Sequence, residues 1–395
     1  MPVKISRRAR WAVPGAAVAA TAVVTAVLQI PSAQASPDLP ARSPAQLLAS
    51  ISSDAKVPPM TGTVVENASL GLPQLPTADT GSSTSITSLL TGSHTLKVYY
   101  QDAQHFRLSI PQPQSETDVI ADGTKAWLWE SSSDSVTEFT APPSTAKTPH
   151  PAPTISQMPL TPQQAANQVL AKVGKTTLVS VQDNVMVAGE PSYQLVLAPK
   201  DSRSLVGKVV IAIDGKYGVP LRVQLYAKGA AAPAFQVGYT ALQWVAPASS
   251  NFSFTPPKGA SVQVENLGQD QSKSASGKSA APSGVGTYGK NWLTVVAVPQ
   301  KDLNEGLGTG AASASSASSS GSKQDIYSAN GNGVGVSSQE MLNALLGSGK
   351  TVSGSWGTGT LVTTSLVSLL VTHGEVYIGA VTPSVLYAAV GHTTS

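Results

Sequence analysis

The chain has 395 residues, of which 12% are charged and 5% aromatic, with a formal net charge of +3 and no cysteine. Without cysteine there can be no disulfide, thiolate metal site, thiol nucleophile or lipid-modified mature N-terminus. The charged fraction is about half the usual one, and no Lys/Arg block is interleaved with aromatics, so nucleic acid is not a partner the sequence supports.

In chain order, Lys4, Arg7, Arg8 and Arg10 come first, then an Ala/Val-rich run over 11–30, then Pro31, Ser32 and Ala33-Gln34-Ala35. A positive n-region, an apolar h-region and a small-x-small site predict a secretory signal peptide over 1–35. The rest of the chain is therefore expected to work outside the cytoplasm, in the cell-wall or periplasmic space or secreted. The apolar run is nearly long enough to span a bilayer, so an uncleaved anchor is the alternative. Ser6-Arg7-Arg8 also fits twin-Arg export.

Three helix starts share one device, a hydroxyl N-cap with Gln or Glu three residues on. They are Ser43-Pro44-Ala45-Gln46, Thr161-Pro162-Gln163-Gln164 and Ser337-Ser338-Gln339-Glu340, each followed by aliphatics. Between the first two the period falls to two. Leu96, Val98 and Tyr100 alternate with polar residues, as do Phe106, Leu108 and Ile110. Asp122-Gly123 turns the chain, and Trp127 and Trp129 share a face of the returning strand. This predicts an antiparallel meander with one apolar face. The Leu-bearing segment 70–90 interrupts it as a long loop, and the Pro-rich segment 142–159 reads as a connector.

After the second helix the strands resume at 193–197, at 208–213 with an Asp214-Gly215 turn, and at 220–226. Phe235, Val237 and Tyr239 share a face of the next strand. Residues 251–259 are expected to close the set as a strand with Phe252 and Phe254 on one side. Segments 268–284 and 306–322 are low-complexity. Around them, strands near 291–298, 361–371 and 375–380 and a helix after Thr382-Pro383 make either a small second α+β unit or an extension of the first sheet. The expected division is 1–35 signal peptide, 40–265 main domain, 266–285 linker, and 286–395 C-terminal unit with an insert at 306–322.

No catalytic cluster emerges. His94, His105, His150, His373 and His392 are too scattered for a metal pair, so no metal, cofactor or catalytic residue is assigned. Gly347-Ser348-Gly349-Lys350-Thr351 imitates the end of a phosphate loop but follows a helix where the motif should open one. The chain is read as a binding protein, not an enzyme, and as a monomer.

The order helix, meander, helix, meander, then Phe252-Ser253-Phe254-Thr255-Pro256-Pro257-Lys258-Gly259 resembles the lipoprotein carrier family LolA and its regulatory cousin RseB, in their actinobacterial branch. The matching pieces are Thr61-Gly62-Thr63-Val64, Leu70 to Pro76, Thr117-Asp118-Val119-Ile120, Ala126-Trp127-Leu128-Trp129, Ile211-Ala212-Ile213-Asp214 and Pro220-Leu221-Arg222-Val223. The resemblance implies an α+β fold: a half-open antiparallel β-barrel wrapped over helices, with a small C-terminal α+β unit. It also implies an apolar cavity between sheet and helices for lipid or lipoprotein acyl chains. On that reading Val98, Tyr100, Phe106, Leu108, Trp127 and Trp129 are cavity wall, and Leu70, Leu72 and Leu75 form a lid. The same alternation equally fits ordinary core. An RseB-like sensor of exported lipoproteins, binding a membrane anti-sigma factor or another envelope protein, is the alternative. Arg107 and Arg222 lie on strands and are expected to be exposed, so neither is assigned as a lid latch.

Overall fold

The computed structural model describes residues 37–52, 57–69, 91–140, 160–171, 173–266, 285–300 and 346–391. The signal segment, the Leu70–Leu90 loop, the Pro-rich connector, both low-complexity segments and nearly all of the third expected helix lie outside them.

Helix α1 (Pro44–Ser52) opens with the expected reciprocal cap. The Ser43 amide donates to Gln46 Oε1 at 2.8 Å, and the Gln46 amide to Ser43 Oγ at 3.3 Å. Helix α2 (Pro162–Leu170) repeats the device with Thr161 and Gln164. Each cap satisfies amides that the first helical turn leaves unpaired. Leu47 and Ile51 of α1, with Ala165 and Ala166 of α2, are buried against the main sheet. Full burial of a Leu or Ile contributes about 2 kcal/mol.

The main sheet holds β1 (Met60–Ser69), β2 (Thr91–Asp102), β3 (His105–Pro111), β4 (Glu116–Asp122), β5 (Lys125–Glu130), β6 (Ser135–Thr140), β7 (Thr177–Val187), β8 (Glu190–Pro199), β9 (Val206–Asp214), β10 (Pro220–Ala227), β11 (Phe235–Gln243) and β12 (Ser261–Asn266). Their order across the sheet is β12-β6-β5-β4-β3-β2-β1-β11-β10-β9-β8-β7. Every neighbouring pair is antiparallel except β6 with β12. β7 curls back toward β11 across three intervening strands, and α1 and α2 sit inside that curl, α1 on β7 and α2 on β10 and β11. The result is α+β: a half-open antiparallel barrel wrapped over helices.

Two turn expectations behave differently. Asp122-Gly123 makes a tight hairpin in which Asp122 pairs with Lys125 and Gly123 takes φ +65°. At Asp214-Gly215 the loop is longer. Asp214 Oδ2 accepts from the Lys216 and Tyr217 amides, and Gly218, not Gly215, takes the left-handed conformation at φ +72°. Gly215 is required for a different reason, since a Cβ there would lie 2.7 Å from Leu39 Cδ2 and 3.0 Å from the Pro191 carbonyl oxygen.

Residues 251–259 do not form a strand. The segment from Trp244 to Ala260 holds a 3-10 turn (Ser249–Asn251) and runs to the far edge of the sheet, where β12 adds beside β6.

A second sheet contains β13 (Gly286–Tyr288), β14 (Val295–Pro299), β15 (Lys350–Gly354), β16 (Gly357–Thr363), β17 (Ser368–Thr372) and β18 (Glu375–Gly379), ordered β13-β14-β18-β17-β16-β15. With α3 (Pro383–Gly391) it buries its own core, including Leu370, Tyr377 and Leu386. The sequence left separate unit and sheet extension open; among the described residues the strands form a separate sheet. It meets the first through a Ser204–Val381 bridge, the Leu205 amide on the Ala380 carbonyl at 2.9 Å, and Trp292 Nε1 on Thr177 Oγ1 at 2.8 Å.

Candidate functional site

Residues paired across an antiparallel ladder point to the same face, and successive residues on a strand point to opposite faces. Val98 pairs with Leu108, Leu108 with Val119, and Val119 with Leu128. Beside that row, Tyr100, Phe106, Ala121, Ala126 and Phe139 also stand in register. Val98 and Val119 are buried, while Tyr100, Phe106, Leu108, Leu128 and Phe139 are partly exposed. These two rows lie on the face that carries Val64 and Leu96, the helix-bearing side, but on strands beyond those on which α1 and α2 chiefly pack.

One step along the strands, the inner face turns polar. Leu96 and Ile110 continue into Thr117, Glu130 and Ser135. One step further, Glu66 of β1 pairs with His94 of β2. Glu66 is buried and accepts the Leu160 amide at 3.0 Å. Burial pushes its carboxyl above the usual range, against the opposing pull of that amide and of His94. The inner face is thus apolar at one end and acidic and hydrogen-bonding at the other.

Of the six expected wall residues, Val98, Tyr100, Phe106 and Leu108 share this face. Trp127 and Trp129 do not, which corrects the expectation of one common wall. Trp127 pairs with Ile120 and Trp129 with Asp118, so both point to the opposite, outer face. There they form a separate cluster with Ile120 and Val136, closed by Phe254 at ring distances of 5.9 Å and 6.3 Å. Trp127 Nε1 donates to Glu138 Oε2 at 3.1 Å. Phe252 lies against His105 on the same face, so the segment after β11 straps the outer face with both Phe rings. The lid residues Leu70, Leu72 and Leu75 lie outside the described residues.

The two strand arginines are not freely exposed, contrary to expectation. Arg107 is half-buried on the outer face and forms an ion pair with Asp118, which is buried. Arg222 lies across Gly238, where any Cβ would meet its Cγ at 2.8 Å. Its Nε is buried without a hydrogen-bond partner, and burial pulls its pKa down. His105 sits between Asp102 at 2.9 Å and Asp122 at 3.6 Å. Among the described residues no three His, Asp or Glu side chains converge as a metal site, and no helix is long and apolar enough to cross a membrane.

Sequence reasoning missed Val119, Leu128 and Phe139 as inner-face residues. The Asp122–Lys125 hairpin sets Val119 opposite Leu128, so the turn held the signal for those two. The step from β3 to β4 was not readable, because β4 is buried on both faces from Thr117 to Ala121 and shows no alternation.

The chain is thus an α+β protein whose open antiparallel sheet presents an apolar inner face. No protein family profile matches it, and no curated protein does. Similar solved structures include the Pseudomonas aeruginosa MucA/MucB complex, with TM-score 0.40 and 11% identity over 88% of this chain and 96% of that one. A LolA superfamily protein from Nitrosomonas europaea aligns with TM-score 0.21 and 11% identity over 54% and 99%. A conserved protein of Thermus thermophilus aligns with TM-score 0.30 and 11% identity over 56% and 97%. LolA superfamily members and MucB therefore stand among the structures this chain is similar to. At these scores the likenesses carry nothing about its ligand or partner.

Proposed function

We propose that this chain is an exported lipid-binding protein that holds an acyl chain, free or borne by a lipoprotein, against the inner face of β2 to β5. The observation that carries this reading is the in-register row Val98–Leu108–Val119–Leu128 beside Tyr100, Phe106 and Phe139. The row crosses four strands, about 14 Å at the usual strand spacing. Acyl sites are concave and apolar with few polar groups placed to orient the ligand. Here the polar groups gather at one end, around Thr117 and Glu130 and then Glu66 and His94, so the acyl tail lies toward Tyr100 and Phe106 and the head toward Glu66. The part played by the protein is binding, not catalysis, and its place is extracytoplasmic.

The test is native mass spectrometry of the purified protein, followed by organic extraction. The proposal expects near-stoichiometric acyl lipid, lost in Leu108→Glu and kept in Lys97→Glu, whose side chain is on the outer face. A protein that stays empty after incubation with lipids and acylated peptides would overturn it.

The separate second sheet with its own core favours one other reading, an RseB-like regulatory protein that senses exported lipoproteins. Its partner would be a membrane anti-sigma factor or another envelope protein. Binding of such a partner by the lipid-free protein, with no acyl lipid ever recovered, would replace the first reading with this one.

A further inference from the structure

Sheet edges expose unpaired backbone groups and are normally protected by bulges, charges, short length or cover. Four edges exist among the described residues. β7 carries a register break between Gln182 and Val185, and the N-terminal segment ties down beside it through Asn184 Nδ2 to the Pro37 carbonyl at 3.1 Å and the Tyr193 hydroxyl to the Pro40 carbonyl at 2.7 Å. In the second sheet β13 has three residues, and β15 begins with Lys350 and ends at Gly354.

β12 has no bulge, its one charge is Glu265 near its end, and among the described residues nothing covers it. Its six residues pair with β6 without a register break. Ser261 to Glu265 are all exposed. Val262 and Val264, at 46% and 59% exposure, point to the same side as Val136, next to the Trp129 cluster. Two β-branched side chains at alternate positions of an open edge favour further strand pairing.

The geometry points to β12 as a self-pairing edge whose occupant is β12 of a second copy of this chain. The sequence Ser261-Val262-Gln263-Val264-Glu265 is self-complementary about Gln263 when two copies run antiparallel. Val262 of one copy then faces Val264 of the other, Gln263 faces Gln263, and Glu265 faces Ser261. No like charges meet, and the valines of both copies join into one patch on the face of Val136. A two-fold axis at Gln263 makes the contact isologous, so it closes at two copies and does not propagate. The expectation of a monomer from sequence gives way to a dimer, weak and reversible because one short edge buries less than a standard interface.

The chain has no cysteine, so Gln263→Cys gives a single thiol. Directly opposed residues of an antiparallel pair have Cα atoms about 4.5–5.5 Å apart, within the range a disulfide bridges. On mild oxidation Gln263→Cys should form a covalent dimer, and Gln182→Cys on the opposite edge should not. Sedimentation of the unmodified protein should show a monomer–dimer equilibrium, with its midpoint moved to higher concentration by about ten-fold or more in Val262→Lys/Val264→Lys. Both valines are exposed, and an unchanged melting temperature of the monomer confirms an intact fold. The proposal is overturned if the unmodified protein sediments as a monomer at its highest soluble concentration. It is equally overturned if Gln263→Cys crosslinks no faster than Gln182→Cys, or if the Lys variant dimerises as before.

Discussion

Val98 of β2 and Trp127 of β5 lie on opposite faces of one sheet. Val98 is in register, through Leu108, with Val119, whereas Trp127 pairs with Ile120, the next residue along β4. A shift of one residue reverses the face. The apolar residues of the first meander therefore serve two surfaces, an inner row and an outer cluster under the Phe252–Phe254 strap.

The two surfaces should separate by mutation. Trp127→Ala removes a ring packed on Phe254 and the bond to Glu138, and should cost about 3–4 kcal/mol of stability while leaving acyl occupancy unchanged in the folded fraction. Leu108→Glu should do the reverse, abolishing occupancy with a smaller loss of stability. Chemical denaturation and native mass spectrometry of the same two samples decide it. Loss of lipid from folded Trp127→Ala would place the ligand on the wrong face.

Arg107→Met should be among the costlier strand substitutions on the outer face. Asp118 is wholly buried, and Arg107 is its only ion-pair partner among the described residues. Removing one member of such a pair leaves a buried charge uncompensated, at about 3 kcal/mol or more. The double variant Arg107→Met/Asp118→Leu should recover most of that loss, because the burial penalty goes with the charge. Urea unfolding of the two variants gives the comparison, and equal stability of single and double would show that the pair is not the cause.

Gly218→Ala should destabilise by about 1 kcal/mol or slightly more, since φ +72° is strained for a residue with a Cβ. The new Cβ would also stand 3.3 Å from Ser50 Cβ of α1. Gly229→Ala, with a similar φ of +77° and open space around it, isolates the backbone part. Thermal melting of both variants should rank Gly218→Ala the less stable.

Much of this fold was legible because local chemistry fixed it. The Ser43 and Thr161 caps, the Asp122-Gly123 hairpin and the alternations over Leu96–Tyr100 and Phe235–Tyr239 each carry their signal within a few residues. What was not legible depended on partners distant in sequence. The side on which Trp127 falls is set by the pairing of β3 with β4, across a strand buried on both faces. Arg107 looked exposed until Asp118 was placed beside it. Phe252 and Phe254 alternate like a strand, yet their rings cover the outer cluster from an irregular segment, because the cluster needed a lid and β11 had to reach β12. The position of α1 and α2 inside the curl of β7 to β11, with the inner rows of β2 to β5 lying beyond their main contacts, had no local signal at all.

Glu66 gives the sharpest pH prediction. Burial raises its folded-state pKa above the ordinary 4.5, so the unfolded chain releases this proton at lower pH than the folded protein does. The associated stability is therefore full below about pH 4.5 and is lost as pH climbs through the raised folded value. Glu66→Gln cannot ionise, yet its Oε1 can still accept the Leu160 amide. The variant and the parent should be nearly equal in stability at pH 4, and the variant should be the more stable at pH 8, with the gap opening between. His94 faces Glu66 from β2 and pulls its pKa down against burial, so the curve is to be measured also in His94→Gln, where the gap should widen as that pull disappears. Parallel stability curves for parent and Glu66→Gln from pH 4 to 8 would mean that Glu66 titrates alike in the folded and unfolded states, and that the acidic end of the inner face is open to water.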